Sequence, residues 1–200
     1  MFYNKSLIAA KLRRWEKYLN NYTLPKWDEL PTIDLYMDQV IALLNQYLDF
    51  LPKDDVKDEK IVTPVAINNY VRMKIMPAPV KKKYSKIHIA YLIMICTLKQ
   101  CLSISNVSKM IPNGLSEEEV KVIYDDYVMM HKRAALYFID QVRKNARPVL
   151  DADDESENAV ANLVASASAI STFSRLLTEK ILNLQGVDDL PADELVEKRQ

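Results

Sequence analysis

The sequence predicts an all-α protein in which a helix-turn-helix precedes long C-terminal helices. Two observations support this fold class. Apolar residues recur at intervals of three and four in several segments of the 200-residue chain, which is the period of helices with one buried face. Most of these segments begin with a serine or threonine in a capping position, and prolines or charged loops separate them. The one additional element that we expect is a small paired turn, or wing.

The N-terminal region is predicted to contain a helix and a connector. The helix covers residues 6–22, and its apolar stripe is expected to pack on the domain while most of its basic side chains stay on the surface. The connector covers residues 24–32 and contains two prolines, so it is expected to be extended. Trp27 and Leu30 are the apolar residues that we expect to fix it to the body of the protein.

A second helix and a charged loop follow the connector. The helix covers about residues 35–48, with Thr32 or Asp34 as its cap. The loop covers residues 52–60 and is expected to be solvated, because most of its residues are charged. Its acidic residues lack the glycine that shapes a calcium loop, so no metal site is predicted there.

The charge distribution distinguishes residues 61–116, which contain no Asp or Glu and are called the basic segment below. Eight of the 27 basic residues lie in this segment, which leaves 19 basic residues against 27 acidic residues in the rest of the chain. A neutral protein that concentrates positive charge in one segment is expected to have a cationic patch. Such a patch is the electrostatic signature of a nucleic-acid-binding surface.

The basic segment is predicted to contain a helix from Thr63 to Lys74. The Thr63 hydroxyl can accept a hydrogen bond from an unpaired backbone N–H, and Pro64 fits the first helical position. The residues that form the apolar face are Ile67, Val71 and Ile75, with Tyr70 beside them. The residues that form the opposite, polar face are Asn68, Asn69 and Arg72.

The rest of the basic segment is predicted to form a wing and two helices. Pro77 and Pro79 end the first helix. Residues 81–83 are three lysines in a short connection that can form the wing, and Ser85 caps the next helix. A short third helix covers about residues 104–111.

This order of elements resembles the DNA-binding head of MerR-type winged helix-turn-helix regulators, over residues 61–111. In that family a Ser-Pro or Thr-Pro pair opens the recognition helix, an aromatic residue lies near its middle, and an apolar pair, prolines and a basic wing ending in Tyr-Ser follow. The positions that carry the resemblance are Thr63-Pro64, Tyr70, Ile75-Met76, Pro77, Lys81 to Lys83 and Tyr84-Ser85. The sequence departs from the family pattern in three places: Lys74 replaces a glycine, the wing has no glycine, and a long acidic linker replaces a tight turn.

The chain also resembles an uncharacterised bacterial family over most of residues 20–145. The shared feature is a Leu-Pro lead-in followed by Leu-Tyr-Met-Asp, which this chain has at residues 30–31 and 35–38. That family carries no established activity, so the second resemblance implies no function.

The basic segment and the resemblance to MerR-type regulators together predict a transcription regulator that binds double-stranded DNA. Asn68 and Asn69 are expected to contact base edges or phosphates, because an amide offers both a donor and an acceptor. The residues expected to hold phosphates are Tyr70, Arg72, Lys74, Lys81, Lys82 and Lys83, with Lys86 and the Thr63 hydroxyl as additional contacts. The alternative is a helical protein–protein interaction module whose basic face binds an acidic protein and not DNA.

The C-terminal half, residues 116–200, is predicted to consist of long helices that follow a DNA-binding domain at residues 1–115. A capping box at Ser116 opens a helix over residues 117–145, and another helix covers residues 156–184. The apolar residues of the first of these helices recur with heptad-like spacing at Val120, Ile123, Tyr127, Met130, Ala134 and Tyr137. This spacing is equally compatible with a fold back onto the same domain and with pairing to a second subunit, which would make a homodimer through both helices.

Composition limits the other functions. Glycine occurs only twice, so the clustered glycines of dinucleotide-binding and phosphate-binding loops are absent. No catalytic or metal-binding motif surrounds the two histidines or the two cysteines, so we predict neither an enzyme nor a cofactor, and we expect both thiols to be reduced. Residues 1–10 lack the long apolar core of a secretory signal, so we expect none, and the longest apolar run, residues 87–96, is too short to span a bilayer. We therefore expect a cytoplasmic protein without a membrane partner.

Overall fold

The computed structural model describes residues 4–51, 61–151 and 158–185, and these residues are mostly helical. The helices are α1 (Lys5–Asn21), α2 (Met37–Tyr47), α3 (Pro64–Arg72), α4 (Lys86–Leu98), α5 (Ile104–Met110), α6 (Glu117–Asn145), α7 (Arg147–Leu150) and α8 (Ala159–Leu182). A short 3-10 turn, Trp27–Glu29, lies between α1 and α2. Within the described ranges, β-type pairing is limited to two isolated bridges, so the predicted all-α class is confirmed.

Local capping explains where several helices begin. The Thr63 hydroxyl accepts a hydrogen bond from the Ala66 backbone N–H (3.2 Å) and starts α3, as predicted. Ser116 and Glu119 form the predicted capping box at the start of α6, in which each side chain accepts a hydrogen bond from the other residue's backbone N–H. α2 begins two residues after its expected start, because the first expected residue pairs with the wing instead.

Helix α4 lies at the centre of the core. All residues from His88 to Thr97 are buried, so this helix is covered on every side. α2 and α6 pack against α4, and α3 packs against α2. The side chains with no exposed surface include Leu44 from α2, Ile67 from α3 and Tyr124 from α6. Burial on all sides explains why most residues of α4 are apolar.

The connector between α1 and α2 is fixed to α6. Trp27 and Leu30 are both buried, as expected from the sequence. The Trp27 backbone N–H donates to the Asp125 carboxylate (2.9 Å), and the Tyr124 hydroxyl donates to the Pro25 carbonyl (2.7 Å). These hydrogen bonds make α6 part of the same unit as the N-terminal elements.

Helix α6 folds back onto α1 and α4. Among its predicted heptad positions, Val120 is buried and Tyr127 is partly buried, whereas Met130 and Tyr137 are 54% and 68% exposed. The first half of this apolar face therefore belongs to the core, and the core continues across the predicted domain boundary at residues 115–116. The second half of the face is exposed.

Helix α7 lies between the two long C-terminal helices that the sequence predicts, in a stretch where no helix was predicted. Proline is tolerated in the first turn of a helix, so Pro148 does not prevent this short helix. Residues 152–157, which include the predicted start of the last long helix, lie outside the described residues. The charged loop at residues 52–60 and the acidic C-terminus from residue 186 lie outside them as well.

Helix α8 contacts the rest of the protein near its two ends. Val160 is buried beside α7, and the Lys109 ammonium in α5 donates to the Asn183 side chain (3.4 Å) just after α8 ends. Between these contacts, Phe173 and Leu177 are 71% and 61% exposed. α8 has the length and apolar composition of a membrane-spanning helix, with a mean hydropathy of 1.2 over 18 residues. Length and composition alone do not distinguish such a helix from one that pairs with another protein helix.

Candidate nucleic-acid interface

One face of α3 is exposed and polar. Thr63, Asn68 and Arg72 are exposed and Asn69 is partly buried, whereas Ile67 on the opposite face is completely buried. The amphipathic spacing of the sequence therefore orients this helix as predicted. Its exposed residues line one shallow concavity, which consists of Thr63, Val65, Ala66, Asn68, Asn69 and Arg72.

The hydrogen bonds on the α3 face leave Asn68 and part of Arg72 available. The Arg72 guanidinium donates to the Asn69 side-chain oxygen (2.6 Å), and the Asn69 amide nitrogen lies 3.6 Å from the Met73 sulfur. Asn69 is therefore occupied within α3. The Asn68 amide has no hydrogen-bond partner among the described residues, so both its donor and its acceptor are free for a ligand.

Tyr70 is not on this face, which corrects its predicted role as a phosphate contact. Its side chain is only 4% exposed, and its hydroxyl accepts a hydrogen bond from the ammonium of Lys99, the residue that follows α4 (3.1 Å). Burial also raises the pKa of the Tyr70 hydroxyl. The helical spacing placed Tyr70 at the edge of the apolar face, and contact with α4 covers that edge.

Lys74 adopts a left-handed backbone conformation directly after α3. Its φ angle is 57°, and its carbonyl accepts a hydrogen bond from the Asn113 side chain. Glycine is the residue that this conformation favours, and it is also the residue that Lys74 replaces relative to the MerR-type pattern. The Lys74 side chain is exposed.

The predicted wing is a two-residue turn made of lysines, here called the lysine turn. Val80 and Lys83 exchange two backbone hydrogen bonds (2.9 and 3.2 Å), and Lys81 and Lys82 lie between them with φ angles of 50° and 62°. Two successive positive φ angles define the hairpin turn that usually contains Asn-Gly. Both side chains are exposed. Lysines in a strained conformation therefore occupy positions where glycine is usual.

The lysine turn is attached to the start of α2. Leu35 and Tyr84 exchange two backbone hydrogen bonds of 2.9 and 2.8 Å. This bridge joins the segment before α2 to the segment before α4. It also explains why residue 35 is not helical.

Lys83 and Lys86 are less available than the other predicted contacts. Both are partly buried. The Lys83 ammonium lies 5.4 Å from the centre of the Tyr36 ring, and the Lys86 ammonium lies 5.3 Å from the centre of the Trp27 ring. Cation–π contacts of this kind hold an ammonium in place by about 0.5–1 kcal/mol. We therefore place the two residues at the margin of the candidate interface.

No cation of the basic segment forms an ion pair with another described residue. Described ion pairs occur elsewhere, for example between Lys121 and Asp28 (3.1 Å) and between Lys144 and Asp140 (2.7 Å). The exposed charges of Lys74, Lys81 and Lys82 are therefore not neutralised by a described neighbour. Such charges are available to an anionic ligand.

His88 holds the chain around the lysine turn and has no catalytic partner among the described residues. Its Nδ1 accepts a hydrogen bond from the Ser85 backbone N–H (3.0 Å), and its Nε2 lies 3.2 Å from the Ala78 carbonyl. Burial lowers the pKa of His88, so the neutral ring makes these contacts near pH 7. The sequence showed a Ser85 cap but did not reveal this contribution of His88.

The two cysteines do not form an activated pair. Cys96 is buried, and burial raises the pKa of its thiol to about 12. Cys101 is exposed, and desolvation raises the pKa of its thiol as well. Thiolates are the reactive form of cysteine, and both shifts oppose thiolate formation. No group of metal ligands was found among the described residues.

Comparison with known proteins gives one informative result. The family model described as a domain of unknown function, DUF1836, matches residues 25–127 of this chain. The matched span includes the whole basic segment and the start of α6. No curated protein and no solved structure matches the chain.

Proposed function

The chain belongs to the DUF1836 family of domains of unknown function, and we propose that it is a transcription regulator that binds double-stranded DNA through α3 and the lysine turn. The observation that carries the proposal is the presence of three left-handed, exposed lysines, Lys74, Lys81 and Lys82, within ten residues of the end of a helix that has one exposed polar face.

Backbone strain supports a functional role for these lysines. They are the only described non-glycine residues with positive φ angles. A side chain in this conformation costs about 1–2 kcal/mol per residue, which glycine would avoid. Strained conformations of this kind concentrate at functional sites. We infer that the positive charge at these positions is needed, because the fold itself would be better served by glycine or asparagine.

The dimensions of α3 suit a major groove. An α-helix with its side chains is about 10–12 Å in diameter. The major groove of B-DNA is about 12 Å wide and admits an α-helix. In this arrangement Asn68 contacts a base edge, while Arg72 and the Thr63 hydroxyl contact phosphates at either end of the helix. Asn69 orients the Arg72 guanidinium.

The lysines after α3 then hold the DNA backbone. Lys74, Lys81 and Lys82 contact phosphates, which fixes the orientation of the protein without reading sequence. The paired turn supports the resemblance to a MerR-type wing, and the left-handed Lys74 supports the match to the glycine of that family. We propose on this basis that the DNA-binding head is a winged helix-turn-helix in which α3 is the recognition helix.

We propose that α8 pairs with α8 of a second copy, with the exposed half of α6 beside it. The apolar positions of α8 follow a heptad pattern at Val160, Leu163, Ala167, Ile170, Leu177 and Ile181, in which Ser174 occupies the position between Ile170 and Leu177. Most of these side chains are exposed in the single chain. A dimer would present two α3 helices to half-sites about 34 Å apart, or a multiple of that distance. The proposed location is the cytoplasm, where such a regulator meets DNA.

Co-purification tests DNA binding against the protein-interaction alternative. The chain is purified at low salt, and its 260/280 absorbance ratio is measured before and after a high-salt wash. The proposal predicts a raised ratio that falls after the wash, because phosphate contacts weaken steeply with salt. A normal ratio throughout, with an acidic protein retained on the column, would favour an interaction module that does not bind DNA.

A further inference from the structure

The exposed face of α3 contains one large apolar side chain, Val65, that the fold does not use. Val65 is 78% exposed and is not part of either buried cluster. A β-branched residue is also a weaker helix former than alanine by roughly half a kcal/mol. Neither burial nor helix propensity therefore accounts for valine at this position.

Val65 lies on the same stripe as the polar residues of the candidate interface. Asn68, Asn69 and Arg72 follow it at intervals of three, four and seven residues, which is the spacing of one helical face. All four residues line the same shallow concavity. A ligand that fills this concavity contacts both Asn68 and Val65.

The free groups on this stripe match the chemistry of adjacent A·T pairs. The Asn68 amide has no partner among the described residues, and an asparagine amide pairs with the N6 and N7 atoms of adenine. Asn69 cannot do this, because its oxygen accepts a hydrogen bond from Arg72 (2.6 Å). An apolar side chain contacts the 5-methyl group of thymine, which is the one apolar feature of a base in the major groove.

The separation of the two residues also fits neighbouring base pairs. Val65 and Asn68 are three residues apart, which corresponds to a rise of about 4.5 Å along the helix. Successive base pairs are about 3.4 Å apart along the DNA axis. Resting on the proposed DNA-binding function, we infer that Val65 and Asn68 determine sequence specificity: Asn68 reads an adenine and Val65 reads the methyl group of a thymine in an adjacent pair.

Selection followed by thymine replacement tests the inference. The full chain is used to select duplexes from a random-sequence library, and each thymine of the enriched site is then replaced by uracil, which lacks only the methyl group. One replacement is expected to lower affinity about fourfold, the effect of losing one buried methyl contact. The Val65→Ala variant should be insensitive to that same replacement.

The Asn68→Ala variant provides the second arm. It should lose discrimination between adenine and the other bases at one position of the site, by roughly tenfold or more. Both side chains are exposed. Each variant should therefore change the free energy of unfolding by no more than about 0.5 kcal/mol, as is usual for a surface substitution. Circular dichroism melting curves check this.

The outcomes separate the inference from the proposed function. If duplexes are bound and enriched but Val65→Ala retains the wild-type response to every uracil, the assignment of Val65 is overturned while DNA binding stands. An enriched site without A·T pairs would overturn the assignments of both Val65 and Asn68, while DNA binding would stand. If no duplex is bound even at low salt, the proposed function fails and this inference fails with it.

Discussion

Tyr70 of α3 and Lys99, which follows α4, are joined by a hydrogen bond of 3.1 Å between the ammonium and the phenolic oxygen, and the same ammonium lies 5.5 Å from the centre of the Tyr70 ring. This contact anchors the buried side of α3 to the core. It contributes to determining which face of α3 is exposed.

The Tyr70–Lys99 contact predicts that Tyr70→Phe affects stability and not DNA binding. Removing the hydroxyl should lower the free energy of unfolding by about 0.5–1.5 kcal/mol, because one hydrogen bond is lost while Lys99 remains accessible to water. Chemical denaturation measures the first effect, and DNA titration measures the second. A variant of unchanged stability that binds DNA more weakly would show that Tyr70 contacts the ligand after all.

The lysine turn predicts that one double substitution raises the stability of the protein and lowers its affinity for DNA. Replacing Lys81-Lys82 by Asn-Gly supplies the residues that the two positive φ angles favour. The free energy of unfolding should rise by up to about 1 kcal/mol, since the strain that is relieved exceeds the added flexibility of glycine. DNA affinity should fall, because two cations are lost. A decrease in stability would contradict the left-handed assignment.

His131 predicts a specific loss of stability at acid pH. Its ring packs against Tyr22, Phe50 and Tyr127, its Nδ1 is buried without a partner among the described residues, and burial lowers its pKa. The folded state therefore takes up a proton at lower pH than the unfolded state, whose histidines titrate near 6.5. The stability that the neutral ring contributes is present above that value and is lost as the pH falls below it.

The His131→Phe variant removes this contribution and keeps the aromatic packing. Between pH 7.5 and pH 5, its melting temperature should fall by less than that of the wild type. Carboxylates and His88 affect both proteins equally, so the difference isolates residue 131. Equal changes in both proteins would show that His131 does not titrate differently in the folded state.

The exposed apolar positions of α8 predict a dimer that one charge disrupts. Light scattering should give the wild type twice the 23.1 kDa mass of the chain. Leu177→Glu places a carboxylate in the proposed helix pair and should give a monomer, since an unpaired buried charge is costly. Thr172→Glu adds the same charge outside the heptad positions and should remain dimeric. A monomeric wild type would refute the pairing.

Local sequence predicted the starts of two helices because the hydrogen bonds of a cap span only three or four residues. Thr63 and Ser116 show this, and the starts of α3 and α6 are correct. The overall orientation of α3 was predictable for a similar reason, because its polar and apolar residues alternate with the helical period.

Contacts between residues distant in the chain were not predictable from the sequence. The Tyr70 hydroxyl accepts a hydrogen bond from Lys99, and Lys83 and Lys86 lie over Tyr36 and Trp27, which are 47 and 59 residues away along the chain. Periodicity shows where the apolar face of a helix ends, but it does not show which neighbouring residue covers that edge. The same limitation applies to α6, whose apolar face divides between the core and solvent.

The central claim is that α3 and the lysine turn form one DNA-binding surface, and the salt dependence of binding tests it. Fluorescence anisotropy is measured with a labelled duplex of about 20 base pairs, two helical turns, at several salt concentrations between about 50 and 200 mM. The variant Lys81→Gln/Lys82→Gln removes two exposed cations from the turn. The control Arg133→Gln/Lys144→Gln removes two cations from α6, outside the basic segment.

The account predicts saturable binding by the wild type and a slope of log affinity against log salt that becomes about two units shallower in the lysine-turn variant, because each phosphate contact contributes about 0.9. The α6 control should retain the wild-type slope. Absence of binding at the lowest salt, or equal slopes for all three proteins, would contradict the account.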